Sequence, residues 1–147
     1  MPNMQQVTIL MVEDDPGHAR LIEKNLRRAH ISNPIITVDN GQKAVDFLFG
    51  EGEYANQPHP CPLLVLLDLN IPVLDGYQVL KRMKENEHTR RIPVVILTTT
   101  DDTREIQKCY ELGCNIYITK PVDYDKFTEA IRNLGLFLSV IKIPNGE

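Results

Sequence analysis

Five short runs of Val, Ile and Leu, each separated from the next by a segment of helical period, constrain this chain more than any other feature. They are "VTILMV" (7–12), "IITV" (35–38), "LLVLL" (63–67), "VVIL" (94–97) and "IYI" (116–118). Runs that are apolar on both sides of the pleat fit a sheet covered on both faces, which is how parallel sheets are built. Strands that alternate with helices give right-handed βαβ crossovers. The expected class is therefore α/β, a doubly wound five-stranded parallel sheet.

The helical segments have legible starts. Asp15 and Pro16 open the first with a capping carboxylate and a proline at the first helical position; its stripe is Ala19, Ile22, Leu26 and Ala29. Asn40 opens the second. Asp75 opens the third, whose stripe is Gly76, Val79 or Leu80, and Met83. Asp102 opens the fourth, and Glu105 three residues on has the spacing of a capping box; its face is Ile106, Cys109 and Gly113. Asp123 opens a fifth helix.

At 147 residues the chain fits one domain, expected to span 1–147 with a core over about 7–140 and a tail over 141–147. A net charge of −4 speaks against a nucleic-acid partner, whose footprint is a basic face. Arg27-Arg28, Lys81-Arg82 and Arg90-Arg91 lie in or beside helices and read as solvated surface. Cys61, Cys109 and Cys114 form an odd set without a close metal-binding pair, which suits reduced thiols rather than a disulfide framework. With no signal pattern at "MPNMQQ" and no run of membrane-spanning length, the expected location is the cytoplasm, with no membrane partner.

In an open parallel sheet, ligands bind outside the carboxyl ends of the strands, so the residues just past each strand carry the chemistry. Glu13 and Asp14 come after the first and Asp68 after the third. The fourth runs into Thr98, Thr99 and Thr100, and the fifth into Thr119, Lys120 and Pro121. Only the second, with Asp39-Asn40-Gly41 beyond it, ends in a plain turn and cap. A buried strand has no need of Asp68, and an ionised carboxylate at its end is costly unless a cation or a donor meets it. Lys120 offsets one charge of the three acids. A divalent cation would offset more, and an all-oxygen site suits Mg²⁺. Asp68 is then a plausible nucleophile toward a phosphoryl group, with Lys120 and the Thr98 hydroxyl available to its oxygens.

"ILMVEDD", "VLLDLNIPVLDGYQVL", "IPVVILTTT" and "YITKPV" together resemble the motifs of CheY-like receiver domains of two-component response regulators, in the right order over about residues 7–140. The resemblance implies strand order 2-1-3-4-5 and a set of roles. Asp68 would be the phosphoacceptor. Mg²⁺ would be held by Asp14 and Asp68, by the backbone carbonyl of Asn70, and by Glu13 through water; many receivers have Asp at this last position. Thr98 and Lys120 would hold phosphoryl oxygens, with a cis Lys120–Pro121 peptide. Tyr117 would be the aromatic switch, while Asn70 and Thr100 would tune the phosphate lifetime. More narrowly, the long loop over residues 50–62 and "LGLFLSVIKIP" resemble small response regulators that partner bacterial and cyanobacterial phytochrome histidine kinases.

His18, His30, His59 and His88 do not sit in a phosphohistidine setting, so the donor is expected to be a partner histidine kinase of bacteriophytochrome type or a small acyl phosphate. Leu136, Phe137, Val140 and Ile143 add apolar area beyond the core stripe of Phe127, Ile131, Leu134 and Leu138, which points to a homodimer. Two other functions compete with that of a stand-alone phosphorylation switch. A phosphorylation-independent dimeric scaffold is one. An aspartyl-phosphate phosphohydrolase is the other, less favoured because Asn70 stands where such enzymes carry a second Asp. On the favoured expectation the chain is a signalling phosphoacceptor rather than an enzyme, with at most self-phosphorylation and self-dephosphorylation.

Overall fold

A computed structural model of the chain describes residues 7–28, 31–57 and 63–120, together with Glu129 and Asn133. Each of the five apolar runs is a strand: β1 (Thr8–Val12), β2 (Ile35–Val38), β3 (Leu63–Leu67), β4 (Val94–Thr98) and β5 (Ile116–Thr119). Thr98 and Thr119 are the last residues of β4 and β5, not the first residues after them. The strands form one sheet in the order β2-β1-β3-β4-β5, and every pairing is parallel.

Among the described residues four α-helices intervene, α1 (Pro16–Arg28), α2 (Gly41–Phe49), α3 (Gly76–Glu85) and α4 (Thr103–Leu112), with a short 3-10 helix at Gly52–Tyr54 after α2. The side chains of β1, β3 and β4 are buried throughout and sort alternately to the two faces. Ile9, Met11, Leu64, Leu66, Val95 and Leu97 pack with Ile22 and Leu26 of α1. Leu10, Val12, Val65, Leu67, Val94 and Ile96 pack with residues of α2, α3 and α4, among them Val45, Leu48, Val79, Leu80, Met83 and Cys109. Cys109 and Cys114 are free, buried thiols pushed up to about 11 by desolvation. No helix among the described residues is long and apolar enough to cross a membrane.

The helix starts obey capping chemistry. Asp15 Oδ1 accepts from Gly17 N and His18 N, and Asn40 Oδ1 accepts from Lys43 N. The expected capping box at Asp102 and Glu105 does not form. Asp102 Oδ1 accepts from Arg104 N at 2.8 Å, while the Glu105 carboxylate accepts from the Tyr77 hydroxyl of α3. Lys108 Nζ lies 4.6 Å from the centre of the same tyrosine ring. A tyrosine on the facing helix outcompetes a backbone N–H that water can also satisfy. The reciprocal box occurs instead at Asp75 and Gln78, where each side chain takes the other's backbone N–H.

Between β3 and α3 the chain turns tightly under two glycines. A Cβ on Gly76 would lie 2.5 Å from the Asp68 carbonyl oxygen and 2.6 Å from Leu69 Cα. A Cβ on Gly41, at the start of α2, would lie 1.8 Å from the Leu74 carbonyl oxygen, and Gly41 N donates to Pro72 O at 3.2 Å. Val73 in this turn has a left-handed φ of 71°, which costs a residue with a Cβ about 1–2 kcal/mol. The tail over 141–147, the Lys120–Pro121 peptide and, apart from Glu129 and Asn133, which are helical, the helix expected from Asp123 lie outside the described residues.

Candidate functional site

The carboxyl ends of β1 and β3 lie side by side because their ladder runs on past the strands, with Asp68 N donating to Val12 O at 3.1 Å. This sets Glu13, Asp14 and Asp68 together, with one oxygen of each within 4.8 Å of the others. Glu13 is 4% exposed and Asp68 7%, while Asp14 faces solvent. Charges about 5 Å apart repel by roughly 3–4 kcal/mol at an effective dielectric near 20, so the cluster needs cations.

Lys120 supplies one. Its backbone N donates to Thr98 O at 2.5 Å, continuing the β4–β5 ladder and placing the side chain at the same edge. Its ammonium lies 2.5 Å from Glu13 Oε1 and 3.4 Å from Asp68 Oδ2. The other oxygen of each buried acid takes a backbone N–H: Glu13 Oε2 from Asp15 at 3.2 Å, and Asp68 Oδ1 from Asn70 at 3.0 Å. Desolvation still holds the Glu13 carboxyl above its ordinary 4.5, with the Asp68 charge adding to it and Lys120 pulling the other way. Three carboxylates against one ammonium leave an excess of negative charge among hard oxygen donors. That donor set fits a divalent cation of the Mg²⁺ type, with Glu13, Asp14 and Asp68 as the side chains that would hold it.

The hydroxyl side of the site comes from β4. Thr98 is fully buried, and its Oγ1 accepts from Asn70 Nδ2 at 3.2 Å. The same amide nitrogen lies 3.4 Å from Thr99 Oγ1 and 3.3 Å from Thr100 Oγ1. Tyr117 is half-buried. Its hydroxyl donates to Thr100 O at 2.5 Å, and its backbone N–H to the Tyr110 hydroxyl at 3.1 Å. Burial and the nearby Cys109, Glu105 and Cys114 push the Tyr117 phenol up to about 12.

The structure thus brings together Glu13, Asp14, Asp68, Asn70, Thr98 and Lys120, and ties Tyr117 to the adjoining loop. Leu136, Phe137, Val140 and Ile143 lie outside the described residues. Two contacts of the site do not emerge from the sequence. The Asn70 side chain gathers the three threonine hydroxyls, for which the Thr98-Thr99-Thr100 run across the sheet was the available signal. His18 Nδ1 stands 3.4 Å from Lys120 Nζ, and no sequence signal beyond its place in the first turn of α1 marks it.

Residues 9–132 match the family model described as the response regulator receiver domain. Response regulator Rcp1 of Synechocystis sp. is 37% identical over 137 residues, which cover 92% of each chain. Its Mn²⁺-bound crystal structure is similar with a TM-score of 0.81, covering 94% of this chain and 99% of that one. A response regulator receiver domain from Rhodospirillum rubrum is 58% identical with a TM-score of 0.81, covering 96% of this chain and 99% of its own. The phosphorylated cyanobacterial phytochrome response regulator RcpA is 36% identical with a TM-score of 0.82, covering 95% and 99%.

Proposed function

Because this chain belongs to the response regulator receiver domain family, whose members take a phosphoryl group from a histidine kinase, we propose that Asp68 is its phosphoacceptor. The observation that carries this is the convergence of three carboxylates and one ammonium at the carboxyl edge of the sheet, with Asp68 buried between Lys120 and the Asn70 N–H. In the transfer, an Asp68 carboxylate oxygen forms a bond to phosphorus as the donor's phosphorus–nitrogen bond breaks. The protein's contribution is positioning and charge neutralisation.

Asp14, Asp68 and the Asn70 carbonyl, with Glu13 through water, would hold Mg²⁺, which would supply charge neutralisation to the phosphoryl oxygens. Lys120 and Thr98 take the remaining oxygens. Thr98 Oγ1 accepts from the Asn70 amide, which leaves the hydroxyl proton free to donate to a phosphoryl oxygen, and movement of Thr98 toward the new group would draw on the loop through Thr100 to which Tyr117 is tied. Tyr117 is accordingly the switch, and Asn70 and Thr100 set the phosphate lifetime. Asn70 cannot serve as a hydrolase's general acid, since an amide has no proton to give at neutral pH.

The chain acts as a stand-alone receiver, its domain filling 1–147. That Rcp1 is matched over 92% of its own length supports this. The likeness to RcpA, a phytochrome response regulator, supports a bacteriophytochrome-type kinase as the donor. Output is by altered binding, with a homodimer through Leu136, Phe137, Val140 and Ile143.

Intact mass after incubation with a small acyl phosphate tests the assignment. One phosphoryl group is expected on the wild type with Mg²⁺, none with EDTA, and none on Asp68→Asn. A folded, Mg²⁺-binding wild type that gains nothing from an acyl phosphate or from a bacteriophytochrome kinase would overturn it.

A further inference from the structure

The Lys120 ammonium meets three acceptors from three elements. Glu13 Oε1 after β1 lies at 2.5 Å, Asp68 Oδ2 after β3 at 3.4 Å, and His18 Nδ1 in the first turn of α1 at 3.4 Å. An ammonium has three donors and no acceptor, so this set saturates it. The imidazole nitrogen that faces it is therefore the one without a proton, and the ring proton is assigned to Nε2. His18 is placed by its own backbone, whose N–H donates to Asp15 Oδ1 at 3.1 Å.

Resting on the assignment of Asp68 above, we infer that His18 is a positioning residue for phosphoryl transfer. Its neutral imidazole takes the third N–H of Lys120 and keeps the ammonium aimed at Asp68. The residue type matters. A carboxylate at position 18 would add a fourth negative charge where an anionic group must arrive, and would grip the lysine too firmly for release. An apolar side chain would leave the ammonium free to swing fully onto Glu13, already its closest partner. A neutral acceptor steadies Lys120, adds no charge, and yields readily to a phosphoryl oxygen.

The test is the initial rate of Asp68 phosphorylation of the full chain, with Mg²⁺ and a small acyl phosphate, for wild type, His18→Gln and His18→Ala. The alanine variant should be about three- to tenfold slower than wild type, the effect of one hydrogen bond. The glutamine variant, whose amide oxygen can accept from Lys120, should recover most of that loss. An alanine variant with the wild-type rate, or a glutamine variant as slow as the alanine one, would overturn the role of His18. A wild type that is never phosphorylated would instead overturn the assignment of Asp68, so the two failures are distinct.

Discussion

Burial makes the charge of Glu13 costly to this fold. Its folded pKa lies above the ordinary 4.5 because desolvation outweighs the ion pair with Lys120. Between those two values the native state binds more protons than the unfolded chain. The contribution of Glu13 to stability is thus present below 4.5 and lost as pH rises through the folded value. Without added Mg²⁺, Glu13→Gln should gain stability relative to wild type as pH is raised across that window, measured by urea denaturation at stepped pH. A constant difference would mean that Glu13 does not titrate with a raised pKa. At this scale the sequence shows which residues end the strands, so Glu13, Asp14, Asp68, Thr98 and Lys120 could be named before any coordinate. It does not show side-chain direction across the sheet. The amide of Asn70 among three hydroxyls, and the imidazole of His18 against Lys120, depend on how two loops and a helix start face each other.

The turn from β3 to α3 places Asp68, and two helices clamp it. Gly76 N donates to Leu69 O at 3.0 Å, Gly41 N donates to Pro72 O, and the capping box at Asp75 closes the far side. This surplus of restraints holds Val73 in its left-handed conformation. Gly76→Ala would set a methyl 2.5 Å from the Asp68 carbonyl oxygen, where only backbone can give way. It should lower stability by about 1–3 kcal/mol, the range for overpacking. It should also slow acyl-phosphate phosphorylation, because the displaced atoms belong to Asp68 itself. Unchanged thermal stability and an unchanged rate would show that the turn is not held this tightly. Element starts were legible because capping is a local matter of one side chain and one N–H. Glu105 shows where locality fails: its spacing from Asp102 fits a box, but Tyr77 of α3 claims its carboxylate.

On the scale of the whole molecule, the alternation of apolar runs and helical stripes was sufficient for class and layer order, since a doubly covered parallel sheet is what such runs can build. Strand order came with the family resemblance rather than with the periodicity, which is the same for other windings. Partner surfaces are set by what apolar area is left over. The excess at Leu136, Phe137, Val140 and Ile143 leads to the expectation of a dimer, whose interface should bury at least about 1,200 Å² in total. Light scattering at high micromolar concentration should give a mass near twice the 16.8 kDa of the chain, and Phe137→Asp should halve it. A monomeric wild type would refute the dimer.

The bond from the Tyr117 N–H to the Tyr110 hydroxyl bears on how any partner can engage this flank. β5 ends the sheet, and an edge strand ordinarily offers its free amide as a template for a guest strand. Here a side chain of the neighbouring helix already occupies that amide. A visiting peptide would have to evict a tyrosine at this position to extend the sheet along β5. Recognition at that position of β5 falls to side chains rather than to the backbone.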